Sequence, residues 1–174
     1  MASGISMMVL VACEFSGIVR DVDLLQTERP DWGNHICDEV ERHLEDGWDL
    51  MIAHPPCTYL SVSGLHWNKR GRLVNGRPRA ELTEKALHFV RTLMDAPINR
   101  IALENPIGCI STRIKKPTQV IQPWMFGEDA SKTTCLWLKN LPPLRPTKEI
   151  RRPRWIKCPC CQDYLVSDSS AARF

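Results

Sequence analysis

Four short apolar runs punctuate the chain, at residues 7–12, 48–53, 99–103 and 133–138. Runs of this length without clean alternation predict strands buried on both faces, as in a parallel sheet. Between the second and third runs, Leu82, Ala86, Phe89, Val90 and Leu93 recur at helical spacing from Glu81 to Asp95. Glu81, Glu84, Lys85 and Arg91 fall largely on the other side, so an amphipathic helix is predicted here. Strand, helix, strand is a βαβ unit, and its crossover is expected to be right-handed. Residues 68–79 carry five Lys or Arg and two glycines, and read as a mobile basic loop before that helix. The expected fold class is therefore α/β with a mainly parallel sheet.

Composition narrows the picture. The chain has 174 residues, enough for one domain with a proper core and, at most, a small appendage. No apolar run approaches the roughly 18 residues of a membrane span, so no membrane partner is expected. The net charge of +3 does not by itself call for nucleic acid. It conceals residues 139–157, where seven basic residues face one acid and four prolines interrupt the chain. Such a stretch cannot be a long helix or a central strand, and an extended basic arm is expected, with a loose tail over 166–174. Eight cysteines are more than usual. The opening Met1–Ala12 lacks the basic flank of a secretory signal, so reduced thiols and a cytoplasmic setting are expected.

The candidate chemistry lies where the runs end. Ligands of open α/β sheets bind at the carboxyl ends of the strands. The second run ends in His54-Pro55-Pro56-Cys57 and the third in Glu104-Asn105-Pro106. Two prolines stiffen the backbone and keep the adjoining chain out of the helical region, which displays the Cys57 thiol on a rigid loop. A βαβ unit brings Cys57 and Glu104 to one sheet edge. A thiol beside a carboxyl group suits attack on an unsaturated ring, with the carboxyl holding or donating a proton at a ring nitrogen. The plainer alternative is a cysteine that only fills the core, the reading taken for Cys13, Cys109 and Cys135. His54 stands next to the loop and is expected to line its pocket.

These residues carry a family resemblance. His54-Pro55-Pro56-Cys57 resembles the Pro-Pro-Cys nucleophile loop of DNA cytosine-5 methyltransferases, and Glu104-Asn105-Pro106 resembles their Glu-Asn-Val element. Cys13-Glu14-Phe15-Ser16-Gly17 resembles, more weakly, their loop for S-adenosylmethionine. The stretch to about Leu144 is similar to short phage and prophage proteins of that kind. The resemblance implies a Rossmann-like methyltransferase core over 1–144 and a basic, Cys-containing arm over 145–174. It implies a bacterial or phage-infected cell as the setting and DNA as the partner. Cys57, with Pro56 beside it, would add to carbon 6 of cytosine. Glu104 would contact ring nitrogen 3 and the exocyclic amine. Asn105 would fix the Cys57 loop, and Arg113 would support a base flipped out of the stack. For the cofactor, Phe15, Ser16, Gly17 and Pro55 would line the site. Asp23 would bind ribose hydroxyls and Asp38 the adenine amine.

The chain departs from that pattern in two places. Only five residues separate Gly17 from Asp23, whereas a parallel crossover needs a dozen or more. The core is thus expected to be truncated at its first crossover, with cofactor binding rebuilt from another segment, weakened or lost. Seventy residues follow Glu104, where the family carries its sequence-reading domain. DNA binding is therefore expected to rest on phosphate contacts from the arm and from Lys69, Arg70, Arg72, Arg77 and Arg79, the plain alternative being a solvated surface. Cys158 and Cys161 have the half-site spacing of a zinc ribbon, with no second pair before Phe174; zinc or simple thiols both fit. Three functions stay open: a DNA cytosine-5 methyltransferase; a non-catalytic relative that binds nucleic acid, a protein partner or its own copy; and an enzyme modifying pyrimidine nucleotides or single strands.

Overall fold

The apolar runs become strands of one sheet. The computed structural model describes residues 7–13, 36 and 38–149, and the backbone of 154–157 and 164–167. In chain order the strands are β1 (Val9–Ala12), β2 (Leu50–Ala53), β3 (Leu73–Val74), β4 (Arg77–Pro78), β5 (Arg100–Pro106), β6 (Gln119–Ile121), β7 (Thr134–Lys139), β8 (Arg154–Lys157) and β9 (Tyr164–Ser167). The helices are α1 (Val62–Lys69), α2 (Arg79–Asp95) and α3 (Ile110–Arg113). The main sheet has the order β1-β2-β5-β7-β6. β1, β2 and β5 are parallel, with Val9 opposite Leu50 and Leu50 opposite Arg100. β7 is antiparallel to both β5 and β6, so it alone runs against the rest of this sheet. The mixed, mostly parallel α/β sheet is compatible with a Rossmann-like core. No helix among the described residues is long and apolar enough to cross a membrane.

Helix α2 starts slightly earlier than its apolar spacing indicates and ends where expected. Glu81 in its first turn complements the positive end of the helix dipole. At the other end, Ala96 takes an extended conformation (φ −52°, ψ 144°) because Pro97 follows it. The Nζ of Lys139 donates to the Ala96 carbonyl at 3.0 Å, which puts a cation at the negative end of α2 and removes Lys139 from the expected arm. Thr83, Leu87, Val90 and Leu93 are deeply buried, and the three apolar ones form one core with Leu10, Met51, Ala53, Ile101 and Leu103. Leu82, Ala86 and Phe89 are only half-buried and flank this stripe.

Several expectations change. The strands are not buried on both faces: burial along β1, β2 and β5 alternates between buried and partly exposed positions. Residues 68–79 are not a loop. They comprise the end of α1, the β3–β4 hairpin and the first residue of α2, and the hairpin's Asn75-Gly76 turn has positive φ at both residues (50° and 75°). That is the two-residue turn that matches strand twist. β5 runs on to Pro106, so Glu104 and Asn105 lie inside the strand rather than Glu104 ending it. The arm begins attached to the core. Gln119 exchanges two hydrogen bonds of 2.8 Å with the Leu144 backbone, and Lys148 bridges to Phe126. Further on, β8 pairs antiparallel with β9, so strand structure continues to Ser167, into the expected tail.

Leu87 is fully buried at the centre of α2. Leu87→Ala is expected to cost about 2–5 kcal/mol in urea unfolding, whereas Leu73→Ala on the exposed hairpin stays within about 0.5 kcal/mol.

Candidate active site at the carboxyl edge of the sheet

The Cys57 loop is built by running out of ladder partners. His54 N–H donates to the Ala12 carbonyl at 3.0 Å and extends the β1–β2 pairing by one residue. Pro55 and Pro56 have no N–H to continue it. The chain turns at Cys57–Tyr59, a single 3-10 turn in which the Leu60 and Ser61 N–H groups both donate to the Cys57 carbonyl, at 3.0 and 2.9 Å. Cys57 itself is exposed.

Strand β5 supplies the other half. Its register sets Leu103 opposite Ala53, so Glu104 follows beside His54. His54 Nδ1 stands 3.4 Å from Glu104 Oε2, and both side chains are about two-thirds covered, at 34% and 30% exposure. Asn105, next along, is 1% exposed, and its Nδ2 donates to the Pro55 carbonyl at 2.7 Å. A side-chain amide thus satisfies the Pro55 carbonyl where the prolines offer no N–H to continue the ladder. Beyond β5 the two loops are laced together. Val62 N–H donates to the Ile107 carbonyl at 3.0 Å and Cys109 N–H to the Leu60 carbonyl at 2.9 Å. A Cβ on Gly108 would collide with the Leu60 carbonyl oxygen, so only glycine permits this approach.

The thiols divide sharply. Burial pushes the Cys109 and Cys135 thiols up, with the Glu104 carboxylate as a second cause at Cys135. Cys13, at the end of β1 with φ +62°, is pushed up to about 11 by burial and then by the Glu41 carboxylate. Of the four cysteines among the described residues, Cys57 alone is exposed.

A cleft of about 270 Å³ runs between the Pro-Pro loop and α2. Pro55, Pro56, Tyr59, Leu60, Leu82, Ala86 and Phe89 give it an almost wholly apolar lining, with Lys85 at its side. This explains why Leu82, Ala86 and Phe89 are half-buried: they flank the core and face the loop.

The remaining expected site residues fall elsewhere. Arg113 forms a bidentate pair with Glu84, at 2.6 and 3.0 Å, which joins α3 to α2. The contact lowers the Glu84 pKa and raises that of Arg113. A role for Arg113 at a flipped base therefore requires that pair to open. The Asp38 carboxylate accepts from the Glu39 N–H at 2.7 Å and lies 3.3 Å from Arg42 and 3.4 Å from His43. Phe15, Ser16, Gly17 and Asp23 lie outside the described residues, as do Cys158 and Cys161, which fall in the connection between β8 and β9. Among the described residues no group of three or more His, Cys, Asp or Glu is placed to hold a metal ion.

Arg79 corrects the expectation of a phosphate contact. It is only 8% exposed, and its guanidinium donates to the carbonyls of Thr58 and Gly64. Nothing in the sequence separates it from its exposed cationic neighbours. Arg70 and Arg72 instead lie over the Trp67 ring, at 5.4 and 4.8 Å.

Neither a protein-family model nor a curated protein matches this sequence.

A limiting amount of iodoacetamide at neutral pH is expected to label Cys57 before Cys13, Cys109 or Cys135, read by peptide mass mapping. Equal labelling of Cys109 would contradict its burial.

Proposed function

We propose that this protein transfers a methyl group to carbon 5 of cytosine in DNA, with Cys57 as the nucleophile. One arrangement carries the reading. An exposed thiol sits on a turn held by Asn105, at the sheet edge where Glu104 also lies. In the proposed reaction the Cys57 thiolate adds to carbon 6 of the ring while Glu104 holds a proton at nitrogen 3. The displaced electron pair makes carbon 5 nucleophilic. After methylation, loss of the carbon 5 proton to solvent expels the thiolate and restores the ring.

S-adenosylmethionine supplies the electrophilic methyl group when bound. The apolar cleft beside Pro55 suits an aromatic ring such as adenine. Asp38 would have to exchange Arg42 and His43 for the adenine amine. The ribose and methionine ends fall to Phe15, Ser16, Gly17 and Asp23, as the resemblance implies.

Charge supports a polyanionic substrate. No Asp or Glu occurs between Asp49 and Glu81, and within that stretch Arg70, Arg72 and Arg77 are exposed. Arg70 and Arg72 both lie over the Trp67 ring, which gathers two guanidinium groups around one aromatic side chain. Duplex DNA would then be gripped through phosphates, and the target base must leave the stack to meet Cys57.

Transfer of labelled methyl from S-adenosylmethionine to DNA is the direct test. Cys57→Ala is expected to abolish it, and Glu104→Gln to lower it by about 10²–10⁴-fold. Transfer that survives Cys57→Ala would overturn the mechanism. DNA affinity is expected to fall as salt rises, with a log–log slope near about −0.9 per phosphate contact. Replacing both Arg70 and Arg72 by Ala should flatten that slope by about two such contacts.

A further inference from the structure

We propose that Arg79 is the positioning residue for Cys57, acting from behind the turn that displays the thiol. The inference rests on the reading of Cys57 as nucleophile.

A buried guanidinium is costly unless its donors are satisfied. Arg79 meets that cost with backbone rather than with a carboxylate. Its Nη2 donates to the Thr58 carbonyl and its Nε to the Gly64 carbonyl at 3.3 Å. The guanidinium carbon also lies 4.6 Å from the centre of the Tyr59 ring. These contacts fall on residues 58 and 59, immediately after Cys57, and on Gly64 in the first turn of α1. One turn along α2, Thr83 Oγ1 donates to the Tyr59 carbonyl at 3.1 Å.

Five of the six carbonyls from Pro55 to Leu60 have named donors. Pro55 accepts from Asn105, Cys57 from Leu60 and Ser61, Thr58 from Arg79, Tyr59 from Thr83, and Leu60 from Cys109. Two of these donors are side chains of α2, so the crossover helix fixes the nucleophile turn directly. Gly64 belongs to the same device. A Cβ there would lie 2.7 Å from Arg79 Nη2 and 2.5 Å from the Thr58 oxygen. Finally, Arg79 N–H donates to the Arg72 carbonyl at 2.9 Å, which joins the cationic hairpin to the residue that holds the turn. A substrate gripped by Arg70 and Arg72 thus bears on the same anchor that sets the thiol.

Arg79→Met keeps length and loses every donor. In this variant, hydrogen exchange at the Leu60 and Ser61 amides, which bond the Cys57 carbonyl, should accelerate by about tenfold or more, while the Ile52 and Leu103 amides of the sheet change less than about twofold. Methyl transfer should lose about 10–100-fold in kcat, with KM for DNA within about threefold, as expected for a misplaced reacting group. Gly64→Ala should reproduce both effects with the charge retained, and Arg79→Lys should recover part of them. If Arg79→Met does not fold, these two variants carry the same measurements. Unchanged exchange at Leu60 and Ser61, or a uniform rise across the sheet, overturns the proposal. Selective loosening of the turn in a protein that transfers no methyl group would uphold the positioning role and sink the proposed reaction.

Discussion

The parallel pairing of β2 with β5 is the constraint on which the carboxyl edge depends. Its register, Leu50 opposite Arg100 and Ala53 opposite Leu103, decides what stands beside what when the two strands leave the sheet. A shift of one residue would exchange the faces of Glu104 and Asn105. The amide that now bonds the Pro55 carbonyl would point away from it, and the carboxylate would take a buried position. The fully buried Met51, Leu87, Val90 and Leu103 hold that register, because slippage would expose them.

The buried polar residues among those described gather at the same place. They are Arg79, Thr83 and Asn105, and each donates to a carbonyl between Pro55 and Gly64. An apolar core of this size has no need of them for stability, since burying polar groups costs free energy that pairing only partly offsets. Asn105 Oδ1 is buried without a partner, a penalty of about 1–3 kcal/mol. Such local departures from good packing chemistry collect where function demands a fixed geometry. Here Arg79, Thr83 and Asn105 surround one short turn that begins with an exposed thiol.

Much of this was legible in advance, for specific reasons. The runs at 7–12, 48–53 and 99–103 are apolar enough to be core strands in almost any arrangement, and β1, β2 and β5 occupy them. Pro55-Pro56 announces the end of a ladder wherever it occurs. The hairpin at 73–78 was equally legible through Asn75-Gly76, but the density of cations around it read as a loop. The reversal of β7 was not legible. A run such as Thr134–Lys139 is apolar whichever way it points, and its direction follows from the path through β6.

By itself, the sequence determined β1, β2, β5 and β7, the crossover helix and the pairing of a proline-stiffened cysteine with a strand carrying Glu104, because those follow from local periodicity and backbone chemistry. The tertiary structure alone decided which cations are free and which are structural. Arg70, Arg72, Arg77 and Arg79 are equivalent as text, yet Arg79 is buried against the Cys57 turn while the other three are exposed. It likewise decided that Arg113 meets Glu84 and that Asn105 meets Pro55. These partners are 29 and 50 residues apart in the chain, and only packing of the helices and strands brings them within hydrogen-bond reach.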